Sequence, residues 1–360
     1  MRKLPRMICG LFIALAFALP AMAQQHDPQP PSADPIKSQQ QRSVDQPGNN
    51  ADVWRAVRSG SPDNYTSIPG RETSVLVQQQ ARFPGQPGFT TAGEAWRKFR
   101  NGPITFYGGW LVVIVLAVLA AIYFAVGPIK LHEKPSGRLI ERFTAAERWV
   151  HWTVAITFCI LGVSGLVLLF GKYVLLPVFG QPLFGWLGNL CKNLHNFVAP
   201  LFIVSLPVMI VMYVKDNLPE KGDLNWFLHA WKFFKGAHLP SGRFNGGEKL
   251  WFWGGVVVLC LILVTSGLVL LFPNFDQLRA TMQQASVVHA IAAVLVISFA
   301  LGHIYLGTIG VEGAYGNMRN GMTDETWAKE HHEYWYNDVK SGKVAAKTTT
   351  APAGSAQTQH

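Results

Sequence analysis

The stretch ASVVHAIAAVLVISFALGHIYLG, residues 285–307, decides the fold. Its only charged-type side chains are two histidines, His289 and His303. An apolar run of this length crosses a bilayer, and it does so as a helix because a lipid-exposed segment must satisfy its own backbone polar groups. The two histidines are fourteen residues apart. At about 100° per residue that is within about 40° of four whole turns, so both imidazoles face the same way. At about 1.5 Å per residue they stand about 21 Å apart along the axis, which is most of a hydrocarbon core about 30 Å thick. A helix with one imidazole near each membrane face is able to serve two stacked cofactors.

Four more apolar runs precede this one. The five spans are read at about 106–128, 149–171, 194–214, 250–272 and 287–310, each long enough to cross. The composition agrees: 49% of the 360 residues are hydrophobic and 14% are charged, against about 25% charged in an average soluble domain. The net charge of +10 is not a nucleic-acid signal, because Lys and Arg cluster in short loops between the spans. The four cysteines form no CxxC, which excludes a zinc ribbon, an Fe–S cluster motif and CxxCH haem attachment. Cys191 stands four residues before His195 and reads as a packed thiol.

Residues 1–23 read as a secretory signal. Arg2, Lys3 and Arg6 form its charged start, Met7 to Leu19 its apolar core, and Ala21-Met22-Ala23 the cleavage pattern. Residues 24–105 form a Gln-, Pro-, Ser- and Gly-rich extension, expected to be periplasmic and largely disordered. Loop charges orient the spans. Loop 129–148 holds Lys130, Lys134, Arg138, Arg142 and Arg148, and loop 215–249 holds six lysines and arginines. The loops on the opposite side, 172–193 and 273–286, hold Lys172 and Lys192, and Arg279. The two basic loops are therefore placed in the cytoplasm, with the N-terminus outside and the C-terminal tail, 317–360, inside. Arg97, Lys98 and Arg100 on the outer flank of the first span resist this rule; the exported signal overrides them.

An internal repeat is visible. Ser164-Gly165-Leu166-Val167-Leu168-Leu169-Phe170 recurs word for word at Ser266–Phe272. Glu147-Arg148 recurs as Glu248-Lys249, and Trp152 matches Trp253. Spans two and three, and spans four and five, are read as two related hairpins. At the position of His151 the second copy has Phe252.

Four of the eleven histidines lie in or at the spans: His151, His195, His289 and His303. Ionisable groups there are expensive and are functional candidates by default. His151 opens the second span and His303 lies in the inner half of the fifth. His195 opens the third span and His289 opens the fifth, both on the outer side. The four thus sort into two pairs at two depths, as two bis-histidine haems require. Two axial imidazoles leave no open position for oxygen, so such sites favour electron transfer. Zinc would want three or four ligands in one place. A proton relay would recruit carboxylates, which the span interiors lack. Gly162, Gly165, Gly267, Gly302 and Gly307 would let a flat macrocycle or a neighbouring helix approach closely.

Arg148-Trp149-Val150-His151-Trp152, Leu194-His195-Asn196-Phe197, Phe244-Asn245-Gly246-Gly247-Glu248-Lys249, Val288-His289-Ala290 and Gly302-His303-Ile304-Tyr305 resemble the gamma subunit of respiratory formate dehydrogenase, the membrane cytochrome b of that complex. The tail from Trp327 to Tyr336 resembles that family's tail, and the segment before residue 140 resembles its longer, N-terminally extended form. The resemblance implies an all-α inner-membrane protein: a four-helix dihaem cytochrome b core, 129–316, plus one extra N-terminal helix, 106–128. It implies two b haems, on His195 with His289 outside and on His151 with His303 inside. It implies quinone, menaquinone or ubiquinone, bound near His303 by Asn245, Gly247 and Glu248, where Glu248 replaces the family's Gln. Glu248 is then a proton donor or simply faces solvent. His331 and His332 read as solvated or docking residues. The implied partners are an Fe–S (beta) subunit outside and a catalytic (alpha) subunit that oxidises formate, with membrane lipid around the spans and no nucleic acid. This chain would transfer electrons and reduce quinone, with no formate-oxidising residues of its own. Two other readings stay open: the cytochrome b of a nickel–iron hydrogenase or thiosulfate-reductase type complex, and a non-redox membrane anchor or transporter.

Overall fold

A computed structural model describes residues 92–350 apart from 234, 274 and 276. The stretch read as a signal, 1–23, and residues 24–91 of the extension lie outside the described residues. Five helices are long and apolar enough to cross a membrane, at Gly93–Ala125, Ala145–Val174, Leu176–Asn217, Gly246–Leu271 and Arg279–Gly310. The chain is a multi-pass membrane protein. Its exposed face is apolar, with Phe197 82% and Val211 76% exposed, while Leu206 and Val296 between the helices are wholly buried. A surface of that kind is tolerable only against lipid.

The first crossing starts about a dozen residues earlier than the apolar run. Helix α1 (Ala92–Phe99) passes through a π-helical turn, Arg100–Ile104, into α2 (Thr105–Ala125). Pro103 sits inside that turn, where the wider hydrogen-bond spacing accommodates a residue with no N–H to donate. Gly108 and Gly109 let α2 come close: a Cβ at Gly108 would lie 3.1 Å from Val294, and one at Gly109 3.4 Å from Phe170.

Helix α3 (Ala145–Val174) starts on a capping box. Thr144 Oγ1 accepts from the Glu147 N–H at 3.3 Å, and the Glu147 carboxylate accepts from the Thr144 N–H at 2.8 Å. The stretch 172–193, read as an outer loop, is instead largely helical. The span α4 (Leu176–Tyr213) is two helices that meet at a kink at Gly180, whose φ is +71°. Glycine takes that conformation without steric cost. Pro182 then sits in the first turn of the resumed helix, where no N–H is needed.

The charged loop that follows carries α5 (Asp223–Phe233). The fourth crossing is α6 (Gly246–Leu250), a π-helical stretch (Trp251–Leu259) and α7 (Cys260–Leu271). The π stretch explains an irregularity in the repeat. Glu248 follows Glu147 by 101 residues, but Ser266 follows Ser164 by 102. The second copy holds one extra residue, and hydrogen bonds that span five residues instead of four absorb it within a continuous helix. The fifth crossing, α8 (Arg279–Tyr305), is unbroken from end to end and contains both His289 and His303.

The repeat extends further than the apolar text shows. Arg142-Phe143-Thr144 with Glu147 recurs, again 101 residues on, as Arg243-Phe244-Asn245 with Glu248. Asn245 caps α6 in a second capping box: its Oδ1 accepts from the Glu248 N–H at 3.0 Å, and Glu248 accepts from the Asn245 N–H at 2.8 Å. The two copies brace each other crosswise. Arg142 donates to the Arg243 carbonyl at 2.7 Å and to Glu248 at 3.1 Å. Arg243 donates to the Arg142 carbonyl at 2.6 Å and to Glu147 at 2.8 Å. Phe143 and Phe244 pack at 5.7 Å between ring centres.

The tail does not hang free. Helix α9 (Ala314–Arg319) leads to β2 (Met322–Asp324), which pairs antiparallel with β1 (Arg138–Glu141); β3 (Thr348–Thr350) pairs with the other edge of β1. Helices α10 (Glu325–His331) and α11 (Glu333–Lys340) then pack Ala328 and Trp335 on Ile140. Residue 317 is thus no boundary in the fold. Buried aromatic area draws the tail back onto loop 129–144 as a cap over the His151–His303 end of the bundle.

Candidate functional site

The four span histidines meet in two pairs. His195 on α4 and His289 on α8 have ring centres 6.2 Å apart, with planes at 75°. His151 on α3 and His303 on α8 have ring centres 6.3 Å apart, with planes at 61°. These separations suit one particular guest. Two imidazole nitrogens each about 2.0–2.1 Å from a shared metal, with ring centres about 1.1 Å behind them, lie roughly 6.3 Å apart centre to centre. Among the described residues no group of three or more His, Cys, Asp or Glu gathers to hold a metal ion. Each pair therefore offers two ring nitrogens and no third ligand, a donor set that would suit a metal already held in a planar macrocycle.

The His195–His289 pair, expected on the outer side, is built from the repeated heptapeptide. Gly165 on α3 lies against His195 and Gly267 on α7 against His289; a Cβ there would stand 3.4 and 3.3 Å from the imidazole Cε1 atoms. The preceding serines touch the same rings. Ser164 Oγ lies 2.9 Å from His195 Nδ1, and Ser266 Oγ lies 3.1 Å from His289 Nδ1. Beside the pair is a cavity of about 390 Å³, lined by both histidines, both glycines, Arg100 and Lys192. A volume of that order is ordinary for a cofactor site. Arg100, one of the three residues that resisted the orientation rule, thus joins Lys192 on a cavity wall whose other residues are mostly apolar.

The His151–His303 pair, expected on the inner side, is roofed by tryptophan. Trp251, in the π-helical stretch, stacks on His303 with ring centres 5.1 Å apart and planes within 15°. Gly255 makes this possible, since a Cβ there would lie 2.3 Å from the Trp251 ring. Trp152, beside His151, donates to the Met318 carbonyl at 2.8 Å. His151 Nδ1 is buried without a hydrogen-bond partner among the described residues.

Asn245, Gly247 and Glu248 lie at the start of α6, at the same end of the bundle. Asn245 Oδ1 and the Glu248 carboxylate are engaged in the capping box, and Glu248 is also paired with Arg142. Gly247 packs against Trp226, with a built Cβ 2.7 Å from the indole. His332, read from sequence as solvated, is 1% exposed. Its Nδ1 meets the Gly242 carbonyl at 2.8 Å, and its Nε2 lies 3.9 Å from Glu248. Burial, then the nearby Arg142, holds the His332 ring well below the usual histidine range. His331 packs on Trp327, and its burial lowers it to about 4. The folding-back of the tail, which no local pattern announced, encloses both rings. The recurrence of Arg-Phe followed by a cap residue and Glu was the one sequence signal for this cap.

The model of the prokaryotic cytochrome b561 family matches residues 142–319, which contain all four histidines. The nitrate-inducible formate dehydrogenase cytochrome b556(Fdn) subunit of Escherichia coli (strain K12) is 30% identical over 213 residues, covering 58% of this chain and 94% of that protein. The formate dehydrogenase cytochrome b556(fdo) subunit of the same organism is 33% identical over 205 residues, covering 56% and 93%. The formate dehydrogenase cytochrome b556 subunit of Haemophilus influenzae is 27% identical over 213 residues, covering 58% and 86%. A bundle of apolar helices that presents paired imidazoles, matched over nearly the full length of such relatives, belongs to the prokaryotic cytochrome b561 family: this chain is a haem b-binding membrane cytochrome of the formate dehydrogenase cytochrome b subunit type.

Proposed function

We propose that this chain is the membrane subunit of a formate dehydrogenase complex, in which two haem b groups, when bound, carry electrons from an outer Fe–S subunit to quinone near the cytoplasmic face. The observation that supports this most strongly is the pair of imidazole couples, 6.2 and 6.3 Å between ring centres, joined by one unbroken helix. His195 and His289 hold the outer group; His151 and His303 hold the inner one. Arg100 and Lys192 provide two cations for the carboxylates on the edge of the outer macrocycle. Val296, half-way between His289 and His303, is fully buried with Leu206 and excludes water between the two depths. A metal held between the two imidazoles of a pair would have no position left open to oxygen, which favours electron transfer.

Quinone is placed beside the inner pair, at Asn245, Gly247, Glu248 and His303. With its Oδ1 used in the cap, Asn245 offers its amide NH2 to a quinone carbonyl. The short Gly246-Gly247 segment holds the backbone at this place against Trp226. Glu248, linked toward the buried His332, stands where protons from the cytoplasm reach the inner site. The basic loops favour a C-terminus in the cytoplasm and an N-terminus in the periplasm of an inner-membrane protein. Electrons moving inward and protons taken up inside build membrane potential. Formate oxidation belongs to the catalytic subunit of the complex.

Purification of the complex through this chain tests the proposal. Two b haems per chain by difference spectroscopy and a co-purifying formate-oxidising subunit are expected. A nickel–iron hydrogenase or thiosulfate-reductase type partner would overturn the assignment of the complex. A chain without a b-type spectrum would overturn the redox reading and leave a membrane anchor or transporter.

A further inference from the structure

We propose that Ser164 and Ser266 are positioning residues that set the tautomer and electron richness of the outer imidazole pair, and thereby make the outer haem the lower-potential of the two. The proposal rests on the dihaem reading above and deepens it.

A serine hydroxyl has one proton to give. Ser164 donates its proton to the Leu161 carbonyl at 3.1 Å, and Ser266 donates to the Ile262 carbonyl at 2.6 Å. Each Oγ is then left to accept. On that assignment the ring nitrogens facing them, His195 Nδ1 at 2.9 Å and His289 Nδ1 at 3.1 Å, carry the proton. That fixes the tautomer in which Nε2 holds the lone pair, the form a metal needs. Hydrogen bonds to the far nitrogen of a ligating histidine orient the ring and raise its basicity. Here the acceptor is itself polarised by its bond to a helix carbonyl, which strengthens the chain of bonds.

Back-bonding of serine and threonine to their own helix is common in membrane spans. Thr157, Ser205, Thr265, Ser298 and Thr308 all do it. Ser164 and Ser266 differ in that each also reaches an imidazole. They hold the same place in a seven-residue text that occurs twice, and the glycine after each makes room for the ring. The two halves of the repeat thus build one two-sided site. The inner site lacks this device at His151, whose Nδ1 is buried with no partner among the described residues. A more basic ligand stabilises the oxidised metal. The difference lowers the outer potential relative to the inner one and directs electrons inward.

The experiment is a potentiometric titration of the two b haems in the full complex, for wild type, Ser164→Ala, Ser266→Ala and the double variant. The outer haem is identified as the one lost in His195→Ala. Both haems should stay bound, the outer midpoint should rise in each single variant and further in the double, and the inner midpoint should not move. Ser164→Thr and Ser266→Thr, which keep a hydroxyl, should restore the wild-type value. Unchanged midpoints with both haems bound, or a shift confined to the inner haem, would overturn the proposal. If an alanine variant loses the outer haem, retention in the threonine variant supports it and equal loss in both overturns it. Fewer than two b haems in wild type would instead sink the dihaem reading itself.

Discussion

The outer site makes a quantitative demand on Gly165 and Gly267. In each, the position of an added Cβ is already within 3.4 and 3.3 Å of an imidazole Cε1, inside the 3.5–4.0 Å optimum for carbon contacts. An alanine needs a shift of a few tenths of an ångström. A valine adds two further carbons on the same side, and one of them must overlap the ring or displace it. Overpacking of this kind costs about 1–3 kcal/mol. Because the ring that moves is the one that must meet the metal, the cost falls on ligation, and about 1–3 kcal/mol corresponds to roughly 5- to 150-fold weaker retention. The assay is haem content per chain after purification, with low-temperature difference spectra to separate the two b haems. Gly165→Val and Gly267→Val should each lower occupancy of the same, outer haem and leave the inner spectrum intact. Gly185→Val, where a Cβ meets nothing within 4 Å, should retain both. Full occupancy and unchanged spectra in both site variants would refute the packing argument.

Other expectations follow from the cap and the cavity. Arg142 is 4% exposed and packed over Phe143, Phe244 and Trp327; Arg142→Met strands Glu248 and should destabilise by about 3 kcal/mol, the low end for a broken buried pair because Glu248 is partly exposed, whereas Arg142→Met with Glu248→Gln should recover part of that in thermal unfolding in detergent. Docking of the tail should depend on pH in two windows. His331, lowered to about 4 by burial, stabilises the docked state fully above about 6.5, and that contribution is lost as pH falls toward 4. Glu325, held at about 2 by Lys340, Tyr336 and Arg138, contributes fully above about 4.3 and loses its share only between there and 2. Hydrogen exchange of residues 322–340 against pH checks this, and protection that is flat from pH 7 to 4 would contradict it. Lys192→Gln and Arg100→Gln should each weaken outer haem retention by up to about 5-fold, the scale of roughly 1 kcal/mol for a partly solvated charge pair, as read by haem loss to an apo-haemoprotein acceptor.

Much of the site was legible because membrane spans expose their logic in single letters. A histidine in apolar text is costly, and the 14-residue interval between His289 and His303 survives intact since nothing in α8 interrupts the helix. The pairing of His195 with His289 and of His151 with His303 followed from depth alone, and the structure brings those same rings together. Less was legible where geometry depends on one residue or on distant contacts. Residues 172–193 looked like a loop because a span-length window stops at the charges, yet the chain there is helical on both sides of a kink at Gly180. The extra residue in the second repeat left a trace only as a change of spacing from 101 to 102. The tail's burial comes from Trp327 and Trp335 packing on partners nearly 200 residues away, which no local period records. The serines at 164 and 266 were visible as repeated text, but their role needed the rings of two other helices placed beside them.

The most direct test of the central claim is a comparison of four alanine variants, at His151, His303, His195 and His289, each purified in the complex and scored for which of the two proposed b haems it lacks. The account predicts that His151→Ala and His303→Ala lose one haem and that His195→Ala and His289→Ala lose the other. If the two histidines of a pair remove different haems, the two-depth arrangement is wrong.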